Sequence, residues 1–206
     1  MIEPIEGVTK FQLDYRAAPA PAAADIASLN AWRSILWRLR LIGLDAQRYG
    51  GVGFGNVSCR YQNSFIVSGT QTGGIPVLSA QHYVYVEHAD AARNRVAARG
   101  PIAPSSESLT HAMVYALDPA VQYVFHVHSP EIWRRAAALG LPVTAREVAY
   151  GTPAMAAEMA RLYAAGPLRA QGIVAMLGHE DGVISIGRDA AEAGQRLLAV
   201  LARSLI

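Results

Sequence analysis

The 206-residue sequence contains one cysteine, Cys59, and one lysine, Lys10. A single cysteine excludes a disulfide framework and any zinc site built from cysteines. A single lysine, in an N-terminal stretch without apolar period, leaves no plausible buried, pKa-lowered amine, which speaks against Schiff-base chemistry. It also removes the phosphate-binding lysine of a P-loop. No run of ~18 apolar residues is present, so no membrane span is expected. Glu3 and Glu6 precede any apolar stretch, which argues against a secretory signal and makes a cytoplasmic location the expectation. Charge is scarce as well: the formal net charge is +2, and 17 of the 18 basic residues are arginine. The densest basic run, Arg93, Arg95 and Arg99, has no interleaved aromatics and reads as a solvated face, so nucleic acid is not an expected partner.

What is present fits a single folded domain. Residues 1–24, with Pro19 and Pro21 two apart, are expected to form an irregular tail, and residues 25–206 the domain. Ile26, Leu29, Trp32, Leu36, Leu39 and Ile42 recur at spacings of three and four, which predicts an amphipathic helix with Asp25 or Ser28 near its start. A glycine-dense segment, Tyr49 to Ser58, leads into strands around Cys59–Tyr61 and Phe65–Val67, with a turn at Asn63-Ser64. The loop Ser68-Gly69-Thr70-Gln71-Thr72-Gly73-Gly74 follows, then a strand at Tyr83–Val86. Pro104-Ser105-Ser106 is expected to open a helix that ends at Asp118-Pro119. Val121–His128, Ile173–Leu177 and Val183–Ile186 read as strands, with Asp181-Gly182 as a turn signal between the last two. Helices are expected at 131–139, 153–164 and Asp189 to about Leu205. Strands joined by hairpins outnumber βαβ spacings, which predicts an α/β domain with a largely antiparallel or mixed sheet covered by helices.

Two histidines carry geometric information. His126 and His128 alternate on a predicted strand, so their side chains share a face, and two imidazoles in an apolar strand are costly to bury unless their nitrogens are used. They read either as a metal pair or as hydrogen-bonded core residues. His179, at the end of another apolar strand, can supply a third imidazole, and three with an open position form the ligand set of a catalytic zinc. Asp181 is a turn former that could also support a ligand. Glu107 follows Pro104-Ser105-Ser106. It reads either as helix-dipole compensation or as a general acid/base beside an anion site made by backbone N–H groups and two hydroxyls. His111, four residues on, lies on the same helix side and could hold the Glu107 carboxylate from behind.

In this order the motifs resemble the class II aldolase/adducin family. They are Gly55-Asn56-Val57-Ser58 with Arg60, the Thr/Gly loop at 70–74, Pro104-Ser105-Ser106-Glu107 with His111 and Tyr115, His126-Val127-His128-Ser129, and Gly178-His179. The resemblance implies a single α/β/α layered domain around a mostly antiparallel sheet. It implies that His126, His128, His179 and, in the empty site, Glu107 bind a divalent ion, zinc or another such as manganese, cobalt or iron. Glu107 would be the acid/base. Asn56, Thr72, Gly73, Ser105 and Ser106 would line a phosphate pocket, with either Ser68-Gly69 or Thr72-Gly73 as the loop pair. The implied function is lyase cleavage of a C–C bond through a metal-stabilised enediolate, on a small hydroxy-carbonyl or sugar-phosphate substrate, by a homotetramer. The same family implies two alternatives: a metal-dependent dehydratase, epimerase or decarboxylase, and a non-catalytic scaffolding domain like the adducin head.

Overall fold

The computed structural model describes residues 9–206, so Glu3 and Glu6 lie outside the described residues. The strands are β1 (Gln12–Ala17), β2 (Gly43–Leu44), β3 (Gly53–Phe54), β4 (Asn56–Tyr61), β5 (Ser64–Ser68), β6 (Tyr83–Asp90), β7 (Arg95–Gly100), β8 (Tyr123–His128), β9 (Ile173–Ala175) and β10 (Gly182–Gly187). The helices are α1 (Ala23–Arg38), α2 (Ser108–Leu117), α3 (Pro130–Arg134), α4 (Pro153–Ala164), α5 (Pro167–Gln171) and α6 (Ala190–Ser204). Eight strands form one sheet in the order β1-β7-β6-β5-β4-β8-β10-β9, and β2 pairs with β3 separately. Every neighbouring pair is antiparallel except β1 with β7.

Alternation along the strands builds two cores. On one face Ile66, Phe125, Val127 and Val183 pack against Leu29 and Leu36 of α1, Ile132 of α3 and Leu197 of α6. On the other, Phe65, Val67, Val124 and Ile184 pack against Leu109 and Val114 of α2, Met155 and Met159 of α4 and Leu168 of α5. The result is an α/β/α layered domain. On β8, Phe125 and Val127 face α1 and α6, so His126 and His128 share the opposite face with Val124, under α2 and α4.

Three expectations need correction. The segment expected to be an irregular tail contains β1, which runs parallel to β7 from Gln12↔Arg95 to Ala17↔Gly100, and α1 already begins at Ala23. All six residues of β1 are exposed, so the strand has no buried stripe to reveal it. Main-chain pairing holds it, together with the buried Phe11 beside it and the Tyr15 hydroxyl donating to the Gly100 carbonyl at 2.7 Å. Secondly, α2 opens at Ser108 with Glu107 as N-cap, because Pro104 bridges to Gly69 and residues 105–108 form a turn closed by Ser108 N–H on the Ser105 carbonyl. Thirdly, α3 stops at Arg134 and continues only as turns to Gly140, while the short α5 had no apolar period to announce it. The arginines of the basic run are ion-paired, Arg93 with Asp90, Arg95 with Asp14 and Arg99 with Glu87.

Candidate active site

His126 and His128 sit at the end of β8, two residues apart on one face. His179 reaches them from the turn between β9 and β10, which is closed by His179 N–H on the Met176 carbonyl at 3.0 Å and Gly182 N–H on the His179 carbonyl at 3.0 Å. Gly178 is obligatory there, since a Cβ would lie 2.0 Å from the Val148 carbonyl oxygen. The three ring centroids are 5.0, 5.0 and 4.8 Å apart, and one ligand nitrogen from each lies within 4.8 Å of the others. All three rings are buried. Burial, with neighbouring imidazoles adding to it, holds His126 and His128 well below the usual histidine pKa, which leaves them neutral. Neither ring nitrogen of His126 makes a hydrogen bond of ordinary geometry, although the Val183 main chain lies close enough to favour its charged form. Neutral imidazoles gathered in a buried cluster are the donor set that zinc and similar divalent ions take. The buried Glu107 carboxylate stands 3.9 Å from His179 Nδ1 and supplies an oxygen donor beside the imidazoles.

Asn56 is the Cα partner of His126 across β4 and β8, and it lies on the wall of a small polar cleft of about 20 Å³. Gly53, Gly69, Thr72, Gly73, Ser105 and Ser106 line the same cleft. The five residues implicated in anion binding therefore converge next to the histidines. The Ser68 hydroxyl instead accepts from Val57 N–H at 3.1 Å, and Thr72 Oγ1 donates to the Gly69 carbonyl at 2.8 Å, so the two candidate loop pairs are the ends of one hydrogen-bonded turn. Gly73 tolerates no side chain: its Cβ would meet the Gly43 oxygen and Phe54 nitrogen at 2.7 Å.

Two supports escape sequence reading. Arg33 of α1 is 1% exposed, and its guanidinium donates to the Thr72 carbonyl at 2.8 Å, to Gly73 at 3.0 Å and to Pro76 at 3.1 Å. It thereby holds the loop by its carbonyls and places a positive charge beneath the cleft. Lys10, expected in an irregular stretch, lies with Nζ 3.3 Å from the ring centroid of Tyr150 and donates to the Tyr150 carbonyl at 3.3 Å. Tyr150 in turn stacks on His179 at 4.3 Å.

Tyr49 packs edge-on against His128 at 4.5 Å, and its hydroxyl donates to Asp181 Oδ2 at 2.7 Å. Arg48 pairs with the same carboxylate oxygen at 2.6 Å. Asp181 thus ties the turn that carries His179 to the loop packed on His128. His111 Nδ1 is hydrogen-bonded to Ser58 Oγ at 2.6 Å, a contact that helps to orient the ring.

The profile of the Class II Aldolase and Adducin N-terminal domain matches residues 42–203. The chain belongs to this family. Among solved structures it is similar to L-fuculose-1-phosphate aldolase from Thermus thermophilus, with TM-score 0.67 and 17% identity, covering 89% of this chain and 92% of that one. A sugar-phosphate aldolase from Thermotoga maritima gives TM-score 0.64 and 14% identity, covering 88% and 92%. The N-terminal class II aldolase domain of a conserved Thermoplasma acidophilum protein gives 0.58 and 13%, covering 91% and 95%. At these identities the likeness establishes the fold. No curated protein matches the sequence.

Proposed function

We propose that this class II aldolase-family protein is a divalent-metal-dependent lyase that cleaves a C–C bond in a small hydroxy-carbonyl substrate bearing an anionic group, a sugar phosphate foremost. One observation carries the reading: three buried imidazoles and a buried carboxylate adjoin a polar cleft, with Asn56 of the cleft directly across the sheet from His126. The aldolases among its structural neighbours support the substrate class.

His126, His128 and His179 would hold the ion, with Glu107 as a further oxygen ligand before substrate arrives; zinc suits this donor set, and manganese, cobalt or iron are the alternatives. When bound, the ion supplies Lewis-acid polarisation of a carbonyl oxygen. The chain does the rest. Asn56, Thr72, Gly73, Ser105 and Ser106 bind the anionic end of the substrate and fix its orientation. A Glu107 carboxylate oxygen accepts the substrate hydroxyl proton and returns it at carbon, a role that accelerates reactions by ~10²–10⁴-fold. The closed surroundings keep water from competing for these groups. A homotetramer in the cytoplasm belongs to the same proposal.

The test is aldehyde release from a panel of ketose and aldose phosphates by the zinc-loaded protein, with and without chelator. Metal-dependent release that Glu107→Gln abolishes supports the lyase. A new double bond, decarboxylation or stereochemical scrambling without aldehyde moves the reaction to the family's dehydratase, decarboxylase or epimerase chemistry. No turnover and no metal dependence favours the scaffolding alternative.

A further inference from the structure

Tyr49 has no part in the proposed chemistry, yet its ring is packed on a proposed metal ligand. It meets His128 edge-on with centroids 4.5 Å apart, and Phe54 lies on a neighbouring side at 5.3 Å. Tyr49 and Phe54 also touch each other, at 5.0 Å. The remaining ring neighbours of His128 are His126 at 5.0 Å and His179 at 4.8 Å. An imidazole binds a metal ion along the in-plane lone pair of one nitrogen, so whatever sets its plane sets its use as a ligand. Among the described rings, those that meet His128 from outside the histidine cluster are Tyr49 and Phe54.

Tyr49 is not held there by its own backbone. Tyr49, Gly50 and Gly51 take φ values of 51, 69 and 73°, all in the left-handed region. Glycine adopts it freely, but a tyrosine persists there only where its surroundings hold it. Here the hold is a latch. The Tyr49 hydroxyl donates to Asp181 Oδ2 at 2.7 Å, and Arg48 donates to the same oxygen at 2.6 Å. The Arg48 guanidinium also donates to the Tyr49 hydroxyl. The phenol thus gives one hydrogen and accepts one, while the carboxylate oxygen accepts two. Asp181 is 2% exposed, and its φ of 58° belongs to the tight turn that carries His179. One carboxylate oxygen fastens the wall of His128 to the turn of His179, across 132 residues.

We infer that Tyr49 is a positioning residue for His128: latched by Asp181 and Arg48, it holds the imidazole in the orientation a metal ion requires. This role rests on the proposed metal centre and adds that its affinity depends on a phenol hydroxyl bonded to Asp181 rather than to a ligand. Groups that orient a metal-ligating histidine typically carry ~10–100-fold of the metal affinity. Without the hydroxyl, the ring at position 49 keeps its bulk but loses the bond that holds its strained backbone against His128.

The test compares full-length wild type, Tyr49→Phe, Asp181→Gly and the double variant; glycine suits the positive φ at position 181. Cobalt(II) affinity is measured by competition with a chromophoric chelator, and the d–d absorption of the bound ion reports its geometry. Tyr49→Phe changes no charge, and it is expected to weaken cobalt binding by about ten-fold or more and to alter the absorption bands. In the double variant the Tyr49 change is expected to cost nothing beyond Asp181→Gly, because the same hydrogen bond is lost only once. A second arm, in chelator, follows modification of His128 by diethyl pyrocarbonate, mapped by mass spectrometry against the exposed His88. His128 is expected to be protected in wild type and to lose protection in Tyr49→Phe, while the buried His111 stays protected. Unchanged cobalt affinity and bands in Tyr49→Phe overturn the inference, as do additive losses in the double variant or unchanged protection of His128. An affinity loss confined to Asp181→Gly overturns it too, since the carboxylate then acts by charge alone. Absence of cobalt binding in wild type defeats the metal centre, whereas the modification arm still decides whether Tyr49 holds His128. Should Asp181→Gly misfold, Tyr49→Phe decides both arms.

Discussion

Asn56 and His126 are paired across adjacent antiparallel strands, so one rung of the sheet joins the polar cleft to the histidine cluster. A substrate whose anionic group sits at Asn56 therefore places its next few atoms at the imidazoles and Glu107. The cleft, the carboxylate and the histidines make contributions that single variants can separate.

Glu107→Gln keeps the shape of the side chain and one oxygen but removes the base. Turnover is expected to fall by ~10²–10⁴-fold with little change in KM. Steady-state kinetics on the best substrate check this, and full turnover with metal retained rules out the assigned role.

Arg33→Ala deletes donors to three loop carbonyls in a site that is 1% exposed. The loss is expected to destabilise the fold by about 3–5 kcal/mol, since buried carbonyls are left without their charged donor. Arg33→Lys keeps the charge but replaces the two nitrogens that reach Pro76 and Thr72/Gly73 with one, and inorganic phosphate is expected to bind roughly ten-fold more weakly. Chemical denaturation and calorimetric titration measure the two effects. Wild-type phosphate affinity in Arg33→Lys contradicts the role of the guanidinium in shaping the cleft.

Gly73→Ala forces a methyl to within 2.7 Å of the Gly43 oxygen and the Phe54 nitrogen, so the loop must move. Phosphate affinity is expected to drop by more than about ten-fold and stability by ~1–3 kcal/mol, the usual range for overpacking. An unaltered titration shows that the loop does not bind the anion.

Much of this site was legible because it is local or periodic. The His126-Val127-His128 alternation announces a shared face, and Ser105 to Glu107 lie together in the chain. Arg33 was hidden because it interrupts the stripe of Ile26, Leu29 and Leu36 with a charged side chain, while Trp32 and Leu39 of the expected stripe are half-buried and 46% exposed, respectively. Nothing in a helical period shows that loop carbonyls 39 to 43 residues away will neutralise a buried guanidinium. Lys10 and Tyr150 meet across 140 residues, and Ser58 meets His111 across 53, so their partners emerge only once the sheet order is known. The edge strand β1 was missed for the opposite reason: it buries no side chains of its own.

The metal-free protein is expected to lose stability in acid. His111, at about 3, and His126 and His128, held well below the usual value, have folded pKa values under the unfolded value near 6.5. A depressed histidine takes up a proton on unfolding, so its contribution is present above pH ~6.5 and falls as pH drops, by up to ~1.4 kcal/mol per pH unit for each such group. Urea denaturation between about pH 7.5 and 5 in chelator measures the slope across the unfolded histidine pKa. A flat profile shows that these rings are not held neutral by burial.

If His126, His128 and His179 form a metal centre, elemental mass spectrometry of purified protein beside the His126→Ala/His128→Ala double variant finds about one divalent ion per chain in the parent and none in the variant. No ion in the parent after reloading with zinc, or equal content in the folded variant, contradicts it.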